Sequence, residues 1–344
     1  MSNNLLYLSC HSTLEHDELK IFNELGFNLF SVGSYADPEQ PLEDLRPPLK
    51  LNTKKQWIES FKRICPNYAF NGRAKLTKEF VDQFDLVLVS HFTHYLVDNW
   101  PLLRDKPLIY APVGQSHPGL EKFLSTLRVK SDLKIIRVSE TESVLEGYAG
   151  RDALIRPIVD STEYSNWNGQ NESIVTVNKW MKKRASICLF KEYCELTKDL
   201  PRVLYGQSND DIEFSNGSPS YDDLRAGYRD FRVCLSMGTK PAPYTYTFME
   251  ALMTGCPVVT VGPKLGNGIT PTYEAYKFIE NGVDGFWSDS LAELKSYLKL
   301  LLSDHSLAKL ISLRGREKAL SLFDRETCKT AWRNFFNNEF NVSL

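Results

Sequence analysis

Residues able to do chemistry concentrate in one run, YTYTFMEALMTGCPVVTVG, from Tyr244 to Gly262. Its apolar spacing predicts a helix capped near Tyr244 or Thr245 and stopped by Gly255, then a buried strand opened by Pro257. A helix start around Thr245 to Phe248 offers backbone N–H groups and a partial positive charge, the ingredients of a nucleoside-diphosphate site. One turn further on, the Glu250 carboxylate can accept both hydroxyls of a ribose. Read alone, the same run is equally an amphipathic helix with a surface Glu, followed by a core strand. A second candidate set is His91 and His94 in SHFTHYLVDNW, at a strand end. A metal pair is one reading of it, but no cluster of carboxylates or cysteines completes the set, so no metal is expected.

Other fingerprints are missing. No GxGxxG follows the first strand-like run, and there is no GxxxxGK[ST], HExxH or GxSxG. The seven cysteines are scattered and form no CxxC pair, which argues against a zinc ribbon or a disulfide framework.

The elements that must position these residues alternate. Strand-like runs at LLYLSC, FNLFSVG, DLVLVSH, PLIYAPVGQ and LKIIRVS are separated by helical ones, including residues 57–64 and 77–84. Near Leu14 the helical pattern can be capped by Thr13 and closed by Gly26, and the Pro-rich stretch 36–51 reads as a loop or insertion. After DALIRPIVD, the polar stretch STEYSNWNGQNES reads as a linker. The rhythm then restarts: strand SIVTVN, helix KRASICLFKEYCELTKDL, strand RVLYGQS, helix SYDDLRAGYRDF, strand VCLSM. A further helix is expected through 274–282. This alternation is the signature of doubly wound parallel α/β sheets, and it occurs twice.

Composition agrees with a two-domain globular protein. In 344 residues, 41 Lys+Arg oppose 43 Asp+Glu, and 42% hydrophobic with 24% charged residues excludes disorder and a chain-wide basic surface. The N-terminus has no basic n-region, and no stretch approaches the roughly 18–20 apolar residues that span a bilayer. The expected setting is cytoplasmic, soluble or peripherally membrane-associated.

The succession EALMTGCPVV, then YEAYKFIENGVDGFW, resembles the GT-B glycosyltransferases of the family 4 type. Glu250, Ala251, Leu252, Gly255, Pro257, Val258 and Val259 match one motif of that family; Glu274, Ile279, Gly282, Asp284 and Gly285 match the next. The resemblance implies an α/β protein of two Rossmann-like domains facing a central cleft. An acceptor domain would span 1–160, completed by a C-terminal helix at about 325–344, with a nucleotide-sugar donor domain over 161–324. It implies transfer of a hexose or pentose from a UDP- or GDP-sugar to an acceptor hydroxyl, retaining and metal-independent, with no tightly bound cofactor.

Residue by residue, the resemblance places Glu250 on the ribose and Tyr244, Thr245, Tyr246 and Thr247 at the phosphates. Lys179, Lys182, Lys183 and Arg184 lie in the basic loop that would grip the diphosphate, with Lys183 and Arg184 favoured for it; an exposed basic helix start is the plainer alternative. Gly206 and Gln207 would approach the base, and Glu274 the sugar or diphosphate. His91 and His94 would serve the sugar catalytically, and Gln115 occupies a loop where the family often carries a His. His11 and Glu15, beside the first strand end, are candidates for the acceptor side; Arg137 and Glu140 are weaker ones.

Two departures bear on specificity. Ala242 stands where the family often has a first Glu, and CHSTLEHDE replaces a glycine-rich loop. Acceptors compatible with the pattern run from saccharides and small molecules to a hydroxymethylated base in viral DNA. For the last, the cations of 46–73, interleaved with Trp57 and Phe61, would form the contact surface. A non-catalytic nucleotide-sugar-binding relative is the other alternative.

Overall fold

A computed structural model describes residues 3–43, 46–70 and 73–340. The chain forms two units. The first contains strands β1 (Asn4–Leu8), β2 (Asn28–Val32), β3 (Leu86–Ser90), β4 (Leu108–Ala111), β5 (Leu133–Arg137) and β6 (Ala153–Leu154). They make one parallel sheet in the order β2-β1-β3-β4-β5-β6. Its helices are α1 (Ser12–Glu24), α2 (Lys55–Ile64), α3 (Lys78–Val81), α4 (Thr93–Leu103) and α5 (Pro118–Lys130).

Continuous apolar runs suit this sheet because both of its faces are covered. Along β1, Leu5 and Tyr7 point into a cluster with Leu19, Phe22 and Trp332, while Leu6 and Leu8 join Trp57, Phe61 and Leu120 on the other face. Trp57 and Phe61 are therefore core residues, and the Trp57 indole donates to Gln83 Oε1 at 3.0 Å. The aromatic half of the nucleic-acid surface expected over 46–73 does not face solvent.

The second unit contains β7 (Asn171–Val177), β8 (Arg202–Tyr205), β9 (Phe231–Ser236), β10 (Val258–Val261) and β11 (Phe286–Ser288), parallel in the order β11-β10-β9-β7-β8. Around it lie α6 (Ala185–Cys188), α7 (Phe190–Thr197), α8 (Tyr221–Asp230), α9 (Tyr246–Thr254), α10 (Pro263–Ile269), α11 (Leu291–Ser303) and α12 (His305–Phe323). Residues 139–144 also belong here, where Thr141 Oγ1 donates to the Thr272 carbonyl at 2.5 Å. The last helix, α13 (Arg325–Phe340), belongs to the first unit from Cys328 onward. There Trp332 meets Phe22 edge-on at 4.8 Å, and Phe336 lies 4.8 Å from Phe27. Residues 341–344 of the helix expected over 325–344 lie outside the described residues.

Four local readings change. Helix α1 starts at Ser12 rather than after Thr13, because His11 Nδ1 accepts the Leu14 N–H and acts as its cap. The helix expected over 183–200 breaks at Leu189, whose φ is 54°. The break frees the Ile187 carbonyl to accept the Lys240 N–H at 2.8 Å, a tertiary bond an unbroken helix would exclude. A single 3₁₀ turn over Ala275–Phe278 replaces the helix expected through 274–282, while α10 forms where a loop was expected. The polar stretch 161–173 is no free linker: Tyr164 is buried, the Trp167 indole donates to the Phe231 carbonyl at 2.8 Å, and β7 begins at Asn171.

Candidate functional site

In open α/β sheets, ligands gather where the strand order reverses, beyond the carboxyl ends of the strands. In the second unit that point lies between β7 and β9, so the loops 178–184 and 237–245 flank it. Both carry residues singled out by the sequence.

The first of these loops is fastened to the end of β8. The Asn178 amide donates to the Tyr205 carbonyl at 2.9 Å and the Trp180 amide to the Gln207 carbonyl at 3.0 Å. Gly206 has φ 137°, and a Cβ there would stand 2.3 Å from the Asn178 carbonyl oxygen, so only glycine permits this approach. Asn209, which the sequence reading missed, is buried at the junction. Its Oδ1 accepts the Met181 N–H at 2.8 Å, and its Nδ2 donates to the Asn178 and Gly206 carbonyls at 2.7 and 3.1 Å. A polar Asn two residues past a strand-end glycine pair of letters, GQSN, was its only sequence signal.

The cations differ in freedom. Lys182 pairs with Asp211 at 3.4 Å, Lys179 lies over the Trp180 ring at 5.3 Å, and Lys183 is exposed. Arg184 is half-buried and its Nη2 donates to Thr239 Oγ1 at 2.6 Å. That bond and the Lys240–Ile187 one tie the two switch-point loops together, leaving other guanidinium donors of Arg184 for an anion.

Helix α9 starts at the second loop, capped by Thr245, whose Oγ1 accepts the Phe248 N–H at 3.3 Å and lies 2.9 Å from Thr247 Oγ1. It stops at Gly255, φ 90°. As at any helix start, the first-turn amides have no intrahelical acceptor. Tyr244 is a core residue instead, its ring 5.2 Å from Phe278 and 5.8 Å from Phe323, while Tyr246 is half-buried. Glu274 reaches this loop through its backbone: its amide donates to the Pro243 carbonyl at 2.8 Å, and its side chain is buried. Glu250 is buried too, with Oε1 accepting the Tyr164 hydroxyl at 2.8 Å and Oε2 lying 3.5 Å from the Tyr228 hydroxyl.

In the first unit the order reverses between β1 and β3. Cys10 Sγ and Ser90 Oγ meet across that point at 3.2 Å. His91 follows β3 with φ 52°, a conformation that is strained for a non-glycine residue. It is held there by its amide's bond to the Ala111 carbonyl at 2.7 Å and by the Tyr110 hydroxyl donating to its carbonyl. Its Nδ1 has no hydrogen-bond partner among the described residues. Burial holds the imidazole below its ordinary pKa, opposed by the Pro112 carbonyl and helped by His117, so the ring is neutral at neutral pH. His94 sits in the first turn of α4, 4.4 Å ring to ring from Tyr95. Exposed His11 caps α1, and Gln115 lies in the turn after β4, its amide donating to the Pro112 carbonyl at 2.9 Å.

Glu15 is not at a surface. It is fully buried, accepting the Ser31 hydroxyl at 2.5 Å and the Ser34 and Tyr35 amides at 2.8 and 2.9 Å. Burial pushes its pKa up to about 7, against the pull of those bonds. Gly33 makes room for it, since a Cβ there would lie 2.4 Å from its oxygens. Glu15 therefore shapes the loop after β2. Arg137 is likewise internal, paired with Glu121 at 2.7 Å, and Glu140 lies exposed in the short 3₁₀ helix after β5. Among the described residues no group of three or more His, Cys, Asp or Glu could hold a metal ion, and no helix is long and apolar enough to cross a membrane.

No protein-family model matches the chain, and no curated protein matches it. Solved structures do. A glycosyltransferase from Rickettsia africae ESF-5 superposes with a TM-score of 0.68 at 14% identity, over 99% of this chain and 100% of that one. Sucrose-phosphate synthase from Thermosynechococcus elongatus gives 0.67 at 12%, over 99% and 100%. Anabaena HepE, in complex with UDP and glucose, gives 0.66 at 15%, over 96% and 98%. The likeness spans both units and shows the fold: two parallel, helix-flanked Rossmann-like units of the GT-B kind.

Proposed function

We propose that the protein is a glycosyltransferase of the family 4 type, transferring a sugar from a nucleoside-diphosphate sugar to an acceptor hydroxyl with retention and without a metal. The observation that carries this reading is the convergence, at the second unit's switch point, of the Arg184 loop, the Gly206 contact and the capped start of α9. Leaving-group departure places negative charge on a diphosphate. Arg184, Lys183 and the first-turn amides of α9, with the Thr245 and Thr247 hydroxyls, answer that charge by preorganised electrostatics. Glu250 holds the ribose, Gly206 and Gln207 border the base, and Glu274 supports the sugar end of the donor. In the first unit, neutral His91 accepts a hydrogen bond from a sugar hydroxyl at Nδ1, with His94 beside it and His11 and Gln115 on the acceptor side. Uridine nucleotides are the first donors to try, since HepE was solved with UDP-glucose and a pneumococcal O-GlcNAc transferase with UDP and GlcNAc.

The test is thermal unfolding with UDP, GDP, ADP and CMP and their common sugar conjugates. A nucleotide that binds only the folded state at 100 times its Kd adds about 2.7 kcal/mol of stability. The expected result is a shift with one diphosphate series that Glu250→Ala reduces by roughly 1–3 kcal/mol. No shift with any nucleotide in folded protein refutes the donor site. A shift without sugar release to water or to any acceptor supports a non-catalytic binder instead.

A further inference from the structure

The strongest unexplained construction in the second unit surrounds Tyr164. Residues 161–165 are polar and carry no regular structure, yet two guanidinium groups bind their carbonyls. Arg316 donates from Nη1 to the Tyr164 carbonyl at 2.6 Å and from Nη2 to that of Ser161 at 3.1 Å, while also binding the Met253 carbonyl at the end of α9. Arg229 donates to the Ser165 and Glu163 carbonyls at 3.0 and 3.2 Å. Two long cationic side chains are thereby ordered to hold one short segment against α9, and ordering such side chains is entropically costly. What the segment presents to α9 is the Tyr164 hydroxyl, which donates to Glu250 Oε1 at 2.8 Å. The Tyr228 hydroxyl approaches the other carboxylate oxygen at 3.5 Å, the outer edge of a hydrogen bond. Phenylalanine would fill both sites equally well, since both rings are buried and pack against aromatic neighbours. The hydroxyls matter only to the carboxylate.

We infer that Tyr164, aided by Tyr228, is a positioning residue that aims the Glu250 carboxylate at the vicinal 2′- and 3′-hydroxyls of a nucleotide ribose, and so sets discrimination between ribose and deoxyribose. The inference rests on the nucleotide-donor reading above. A carboxylate accepts one bond from each of two adjacent hydroxyls only if its plane is held. A phenol donating to one oxygen fixes that plane and stabilises the ionised form, which alone accepts from both. A 2′-deoxynucleotide offers a single hydroxyl and draws little from the fixed plane.

The experiment is calorimetric titration of the full-length protein, wild type and Tyr164→Phe, with UDP, GDP and ADP and their 2′-deoxy counterparts, alongside thermal unfolding of each variant. Wild type is expected to prefer the ribonucleotide it binds by at least about tenfold, the effect of one hydrogen bond to a charged group. In Tyr164→Phe that preference should fall to within about threefold, with the deoxynucleotide's affinity little changed. If the variant loses stability but keeps the preference, Tyr164 is merely structural and the inference is overturned while the nucleotide site stands. If wild type binds none of the six nucleotides, both fall together. Should Tyr164→Phe not fold, Tyr228→Phe carries the test: a preference reduced by about threefold supports the pair, and an unchanged one overturns it.

Discussion

Glu18 offers a prediction whose size follows from its surroundings. It lies on the buried face of α1, where Oε2 accepts the Tyr7 hydroxyl at 2.6 Å. Burial pushes its pKa from 4.5 up to about 8, with the Tyr7 bond pulling down and the neighbouring Asp17 charge adding to the rise. The Tyr7 phenol is itself displaced far upward, so it remains the donor throughout. Between pH 4.5 and 8 the folded state thus keeps a proton that the unfolded chain releases. Folding stability from this group is fully present below the lower value, falls as pH rises, and levels off above the upper one. Glu18→Gln removes the titration and keeps the shape. Its stability relative to wild type should therefore rise by about 4 kcal/mol between about pH 5 and about pH 9, at 1.36 kcal/mol per pKa unit. Urea unfolding of both proteins at each pH measures this, because all other titrating groups cancel in the difference. A gap that changes by less than about 1 kcal/mol would refute the claim that the folded protein holds Glu18 neutral.

Two further perturbations test the second unit's switch point. Gly206→Ala must place a Cβ 2.3 Å from the Asn178 carbonyl oxygen at φ 137°, so it should separate the loops after β7 and β8. A stability loss of about 1–3 kcal/mol in urea unfolding and a still larger fractional loss of nucleotide affinity are expected. Thr245→Ala removes the cap of α9 and should cost about 1 kcal/mol, recovered in Thr245→Ser, by the same unfolding assay.

Much of the architecture was legible from neighbours in the chain. LVLVS in β3 and VVTV in β10 are apolar throughout because both sheet faces are covered, and their flanking polar and glycine residues mark the ends. The cap and stop of α9 were equally visible, since Thr245 and Gly255 act on backbone groups within one turn. Errors arose where a distant group took over a local preference. The helix around Leu189 breaks because Lys240 claims the Ile187 carbonyl, and the apparent linker at 161–173 is packed because Arg229 and Arg316 claim its carbonyls.

By itself the sequence determined the alternating elements, the two-fold repetition of the α/β pattern and which residues carry charge near the start of α9. Those properties depend on propensity, periodicity and capping, all short-range. Only the tertiary structure decided what each carboxylate does. Glu15 and Glu250 are both acids on helices near strand ends, yet Glu15 is enclosed by the loop after β2, and Glu250 meets a tyrosine 86 residues away. Likewise Arg184 finds Thr239 because β7 and β9 are sheet neighbours, although 55 residues separate the two side chains. Strand order selects such partners, and it is settled by packing both sheet faces at once rather than by any spacing along the chain.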